Sequence, residues 1–146
     1  MIKTIEHISS GENEIILKYQ QLNPEMQKLL AYLRGSMDRI AVQKDDERFL
    51  LLPGQVFYVE SVENKVFVYT KDAVMESQDS LFYLENKYSD MGLIRIGKSQ
   101  LVNLYHIKKL KSIMNSRIEV TLDSGDRLVV SRHYAREFKS RLGIEK

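Results

Sequence analysis

Cysteine is absent from the 146 residues. That excludes disulfides, thiolate metal sites and cysteine nucleophiles, and a cytoplasmic location is the simplest reading of it. Histidine is scarce: His7, His106 and His133 stand far apart, and no two have the spacing of metal ligands. No apolar run reaches the roughly 18 residues that a membrane span requires. The N-terminal stretch MIKTIEHISSGENE lacks the apolar segment of a signal peptide. A phosphate-binding loop, a Gly-x-Ser-x-Gly elbow and a dinucleotide fingerprint are all missing. Acidic pairs such as Asp45-Asp46 fall in turns, and Glu60 reads as a carboxylate at the polar edge of a half-buried strand. These absences argue against an enzyme and give no reason to expect a metal or a cofactor.

What is present is an ordinary globular mixture, 43% hydrophobic and 29% charged, over a length suited to one core with a small annex. The net charge of +2 conceals an asymmetry. Residues 1–90 hold 10 Lys and Arg against 15 Asp and Glu, a net of −5. Residues 91–146 hold 12 against 5, a net of +7. A basic second half suits an anionic partner.

The pattern of the chain predicts many short strands and few helices. A strand is expected over residues 14–19 (EIILKY). A helix follows from Asn23-Pro24-Glu25, where Asn caps, Pro fits the first helical position and Glu complements the dipole. Met26, Leu29, Leu30 and Leu33 form its apolar stripe, and Gly35 ends it. Short strands over 39–44 and 48–52 flank a polar turn. Pro53-Gly54 is the strongest punctuation and divides a strand–helix–strand extension, residues 1–52, from a main domain, residues 53–146.

Beyond it, 56–62 and 65–70 alternate as a hairpin around Glu63-Asn64, and 73–77 forms another strand. Asp79 or Ser80 caps a helix that carries Leu81, Leu84, Glu85 and Tyr88. Residues 93–96 form a strand that leaves through the tip Gly97-Lys98-Ser99-Gln100, and a short helical turn is expected through Leu101, Val102 and Asn103. Strands over 107–113, 117–122 and 128–130 precede a last helix, capped by Ser131 and stopped by Gly143. The fold class is mostly β, of the α+β kind, built from antiparallel hairpins with short helices.

Three element tips carry basic and amide side chains: Asn64 with Lys65; Lys98 with Ser99 and Gln100; and Arg132 with His133, followed one turn later by Arg136. The last two are read as helix starts, whose free N–H groups attract phosphate. Lys, Arg, Asn and Gln are also the side chains that pair with base edges.

The order of the pieces resembles the LytTR DNA-binding domain over about residues 50–146. The segments that carry the likeness are FYVESVENKVFVYTKDAVMES, SLFYLENKY, LIRIGKSQLVNLYHIKKL and RIEVTLDSGDRLVVSRHYAREFKSRLG. The matches Ile94-Arg95-Ile96-Gly97-Lys98-Ser99 to Val102-Asn103, and Val130-Ser131-Arg132-His133-Tyr134, are specific to that pattern. The resemblance implies a β-rich domain that reads double-stranded DNA from loops, not from a recognition helix. The implied contact places are Asn64 and Lys65, then Lys98, Ser99 and Gln100, then Arg132 and His133, with Arg95 inside the central motif. They coincide with the three tips chosen by charge.

Asn103 also matches, and its expected role is structural. Residues 1–50 are too short for a phosphoacceptor receiver domain, so the chain resembles the small stand-alone regulators of this family. That kinship implies paired repeats in the DNA, a homodimer at least when bound, and control by a partner protein, often a membrane protein. Two other readings stay open from the residues alone. One is a protein-interaction module whose basic face meets an acidic partner. The other is a single-stranded RNA binder, which needs exposed aromatics from among Phe57, Tyr58, Phe67 and Tyr69.

Overall fold

The computed structural model describes residues 7–35 and 39–144. The first element is helix α1 (Pro24–Gly35), where the side chain of Asn23 accepts from the Met26 backbone N–H at 2.9 Å, as its capping position requires. Only part of the expected stripe is core: Met26 is buried, but Leu29 is 40% exposed. Two antiparallel strands follow, β1 (Ile40–Lys44) and β2 (Glu47–Leu51). The chain then enters β3 (Tyr58–Val62), β4 (Lys65–Tyr69) and β5 (Val74–Ser77).

Helix α2 (Leu81–Tyr88) begins where the Ser80 hydroxyl accepts from the Tyr83 N–H. After it come β6 (Leu93–Gly97), β7 (Gln100–Asn103), a single 3-10 turn (Leu104–His106), β8 (Ile107–Ile113), β9 (Arg117–Leu122), β10 (Arg127–Val130) and α3 (Arg132–Arg141). All strand pairs are antiparallel.

Seven strands form one sheet in the order β2-β1-β5-β4-β3-β7-β6, and three form a second in the order β10-β9-β8. One face of the large sheet packs Val59, Val66, Val68, Met75 and Leu101 against Leu81, Leu84 and Tyr88 of α2. Ile40, Val42 and Leu51 join this same core, so residues on both sides of Pro53-Gly54 share it. The opposite face, at β6 and β7, packs Ile94, Ile96 and Val102 against Ile118, Val120, Leu128, Val130 and Phe138. β6 and β7 are therefore covered on both sides.

Two expectations are corrected. Residues 14–19 form no strand; Ile15 is 75% and Ile16 67% exposed. Strand-prone residues need a neighbouring edge to hold their backbone groups, and none of the described strands pairs with them. The front end is accordingly a helix followed by a hairpin. The helical turn expected at 101–103 is also absent. Those residues belong to β7, and the turn comes three residues later, at Leu104–His106. Asn103 caps it, its side-chain oxygen accepting from the Tyr105 N–H at 3.0 Å.

Candidate nucleic-acid interface

Antiparallel pairing fixes which ends of the strands meet. Glu60 of β3 lies opposite Gln100 of β7, so the β3–β4 turn and the β6–β7 turn leave the same end of the sheet. One backbone hydrogen bond ties them: the Ser61 N–H donates to the Ser99 carbonyl at 2.8 Å. A second ties the third segment: the Ser131 N–H donates to the Ile96 carbonyl at 2.9 Å, which sets the start of α3 beside the β6–β7 turn. Three segments far apart in sequence thus form one rim.

The rim is basic and largely open. Asn64, Lys65, Lys98, Ser99, Arg132, His133 and Arg136 are all exposed. Asn64 sits at the end of its hairpin with φ 67°, after Glu63 with φ 49°, a two-residue turn that throws its side chain clear of the sheet. His133 stacks edge-on against Tyr134, 4.7 Å between centroids, which limits its rotation.

Lys98 and Ser99 are the turn between β6 and β7, next to a register shift at Arg95/Gly97, and not a helix start. The phosphate-attracting helix end expected there does not exist. Of the three tips, the one at the start of α3 is a helix end, and the Ser131 side chain makes no capping bond to it.

Two of the residues picked out from sequence are committed within the protein. Arg95 donates to Glu85 through Nε at 3.1 Å and Nη2 at 2.9 Å, and its Nη1 donates to the Lys98 carbonyl at 2.7 Å. Its side chain is 16% exposed. Gln100 donates from Nε2 to Glu60 Oε2 at 2.8 Å, and Tyr69 donates to the other Glu60 oxygen at 3.4 Å. Tyr69 stacks on Tyr58 at 4.1 Å between centroids. Burial pushes the Tyr58 hydroxyl up to about 12, with the charges of Asp126, Tyr69 and Glu60 adding to it. Burial also raises Tyr69, with Glu60 adding to it through its charge and its hydrogen bond.

Sequence reasoning places Glu85 on a helix but gives it no partner, because nothing local links it to Arg95 ten residues on. It passed over the Asn115-Ser116 turn. Ser116 borders a cleft of about 920 Å³ lined by Arg132, Arg136 and Lys139, so that turn extends the basic rim. Among the described residues no cluster of His, Asp or Glu could hold a metal ion, and no helix is long and apolar enough to cross a membrane.

Residues 46–143 match the family model of the LytTr DNA-binding domain. The chain belongs to the LytTR family. Among solved structures, this LytTR chain is similar to the LytTr DNA-binding domain of a methyl-accepting/DNA response regulator from Bacillus cereus. The TM-score is 0.70 with 26% identity, covering 73% of this chain and 98% of that one. Among curated proteins, it is similar to the sensory transduction protein LytT of Bacillus anthracis, 29% identical over 129 residues. It is also similar to the LytT of Bacillus cereus, 30% identical over 108 residues. The matches cover 87% and 74% of this chain and 52% and 44% of those proteins, so the chain spans about half the length of the relatives it matches. LytTR is a DNA-binding domain family, not an enzyme family.

Proposed function

We propose that this LytTR chain is a transcription regulator that binds double-stranded DNA sequence-specifically through the rim of turns, two copies engaging paired repeats. The observation that carries the reading is the pair of backbone bonds, Ser61 to Ser99 and Ser131 to Ile96, which bring the three basic segments to one edge. Neighbouring hairpins lie about 10 Å apart, two strand spacings, close to the width of a major groove.

Asn64, Ser99 and His133 supply hydrogen-bonding groups for base edges. Lys65, Lys98, Arg132 and Arg136 supply charge for phosphates, which gives most of the affinity and its salt dependence. Arg95 and Gln100 are positioning residues in this reading. Arg95 holds the Lys98 carbonyl while Gln100 anchors the start of β7. Few base contacts per copy favour two copies per site, since each mismatch costs about 1–3 kcal/mol.

The test is selection of bound duplexes from a random pool, followed by a salt titration of the winner against a scrambled duplex. A paired motif that keeps an advantage of roughly a thousandfold supports the proposal. Equal binding to both duplexes that vanishes as salt rises overturns it. That outcome makes the rim an electrostatic patch suited to an acidic protein.

A further inference from the structure

Residues 14–19 carry the sequence of a strand, yet they lie unpaired, with Ile15 75%, Ile16 67% and Tyr19 49% exposed. Elsewhere in the same chain, β2 is the terminal strand of the large sheet and pairs on one side only, with β1. β2 also leaves apolar side chains in solvent: Leu50 is 66% and Phe49 37% exposed, and Leu52 just beyond it is 39% exposed. An open, apolar edge of this kind is a template for another strand.

We infer that two copies of this chain exchange residues 14–19, each segment adding as an antiparallel strand to the β2 edge of the other copy. The inference does not depend on the DNA reading. Charge and pattern choose a register. With Lys18 opposite Glu47, Ile16 falls opposite Phe49 and Ile15 opposite Leu50, so one charge pair forms and one apolar pair meets on each face. Sliding by one residue one way puts Lys18 opposite Arg48, like against like. Sliding by two the other way puts Ile16 opposite Glu47.

Two of the other edge strands, β6 and β8, suit the segment less well. The outer carbonyl of β6 at Ile96 already accepts from Ser131. The edge strand β8 carries Lys108, Lys109 and Lys111, charges that discourage strand addition. A second copy is the fitting occupant because each chain holds both halves of the match. Reciprocal exchange closes on itself as a two-fold dimer and leaves neither half open.

The absence of cysteine makes the test clean. Full-length Ile15→Cys and Leu50→Cys chains, carrying tags of different size, are mixed under conditions that allow subunit exchange and then oxidised. Directly opposed cross-strand Cβ atoms lie about 4.5–5.5 Å apart, near enough for a disulfide to close with slight adjustment. Both residues are exposed, so neither change threatens folding.

The expected result is a disulfide-linked pair joining the two differently tagged chains. A dimeric mass by light scattering should accompany it for the unaltered chain, and Ile15→Asp with Ile16→Asp should shift that mass to monomer. Three outcomes overturn the inference: a monomeric unaltered chain without cross-links; an intramolecular disulfide in the Ile15→Cys/Leu50→Cys double variant at monomer mass; or Leu50→Cys linking only to itself.

Discussion

The guanidinium of Arg95 bridges Glu85 of α2 and the carbonyl of Lys98, with its shortest bond, 2.7 Å, to that carbonyl. A cation conspicuous in the sequence as a DNA contact is thereby joined to the protein on two sides. It holds the β6–β7 turn from behind while Lys98 and Ser99 face outward.

Arg95→Ala should therefore weaken DNA binding by about tenfold, the equivalent of about 1.4 kcal/mol of lost ordering. Glu85→Gln distinguishes positioning from direct contact. Glu85 sits on α2 behind the turn and bears no charge attractive to DNA, yet its neutralisation should reproduce part of the Arg95→Ala loss with the salt slope unchanged. Lys98→Ala, in contrast, should lower that slope by about one. Fluorescence anisotropy across a salt series reads all three.

Asn103 is wholly buried and uses both ends of its amide. Nδ2 donates to the Val56 carbonyl at 2.8 Å, and Oδ1 accepts from the Tyr105 N–H at 3.0 Å. Asn103→Ala strands the buried Val56 carbonyl and the part-buried Tyr105 N–H, so it should cost about 2–4 kcal/mol of stability by denaturant titration. Asn103→Asp should cost no less, since a carboxylate cannot donate to Val56. Gly92→Ala presses on the same spot: a Cβ there would lie 2.7 Å from the Tyr105 ring and 2.9 Å from Asn103 Oδ1, at a φ of 105°.

Among the described residues, three hairpins turn through two consecutive left-handed residues without glycine: Asp45-Asp46, Glu63-Asn64 and Asn115-Ser116. Ser116, with φ 58°, is neither Asn nor Asp and holds the second turn position, where Gly is preferred. Ser116→Gly completes an Asn-Gly pair, the preferred composition for this turn, and should raise stability by about 1 kcal/mol. A higher thermal midpoint checks it; an unchanged or lower one refutes it.

Tyr58 titrates at about 12 in the folded chain against an ordinary 10.0. A raised folded value means that the unfolded chain loses the proton first. Stability is therefore fully present below pH 10 and declines as pH rises from 10 towards 12. Tyr58→Phe removes the titration and should flatten that decline, with Tyr69, raised in the same direction, contributing the remainder. Chemical denaturation across that alkaline range measures it.

Much of the fold and the outline of the site are legible in the sequence, because the informative patterns are local. Ile118, Val120 and Leu122 alternate because β9 buries one face, and the Asn23-Pro24-Glu25 start of α1 follows from capping chemistry. The stretch 100–103 resists such reading. Leu101 faces one core and Val102 the other, so the strand loses its alternation and its apolar run suggests a helical turn. The committed states of Arg95 and Gln100 were equally hidden. Gln100 finds Glu60 across 40 residues, and no local pattern announces such a partner. Residues 14–19 have the composition of a strand, but composition does not say whether an edge within the chain awaits them.

The two bonds that assemble the rim, from Ser61 to Ser99 and from Ser131 to Ile96, run between backbone atoms. Side chains at Asn64, Lys65, Lys98, Ser99, Arg132 and His133 take no part in holding the rim together. On the proposed reading, replacement at those positions changes what is recognised and leaves the scaffold standing. A lineage built on this frame can change its address one residue at a time, without first passing through an unfolded ancestor.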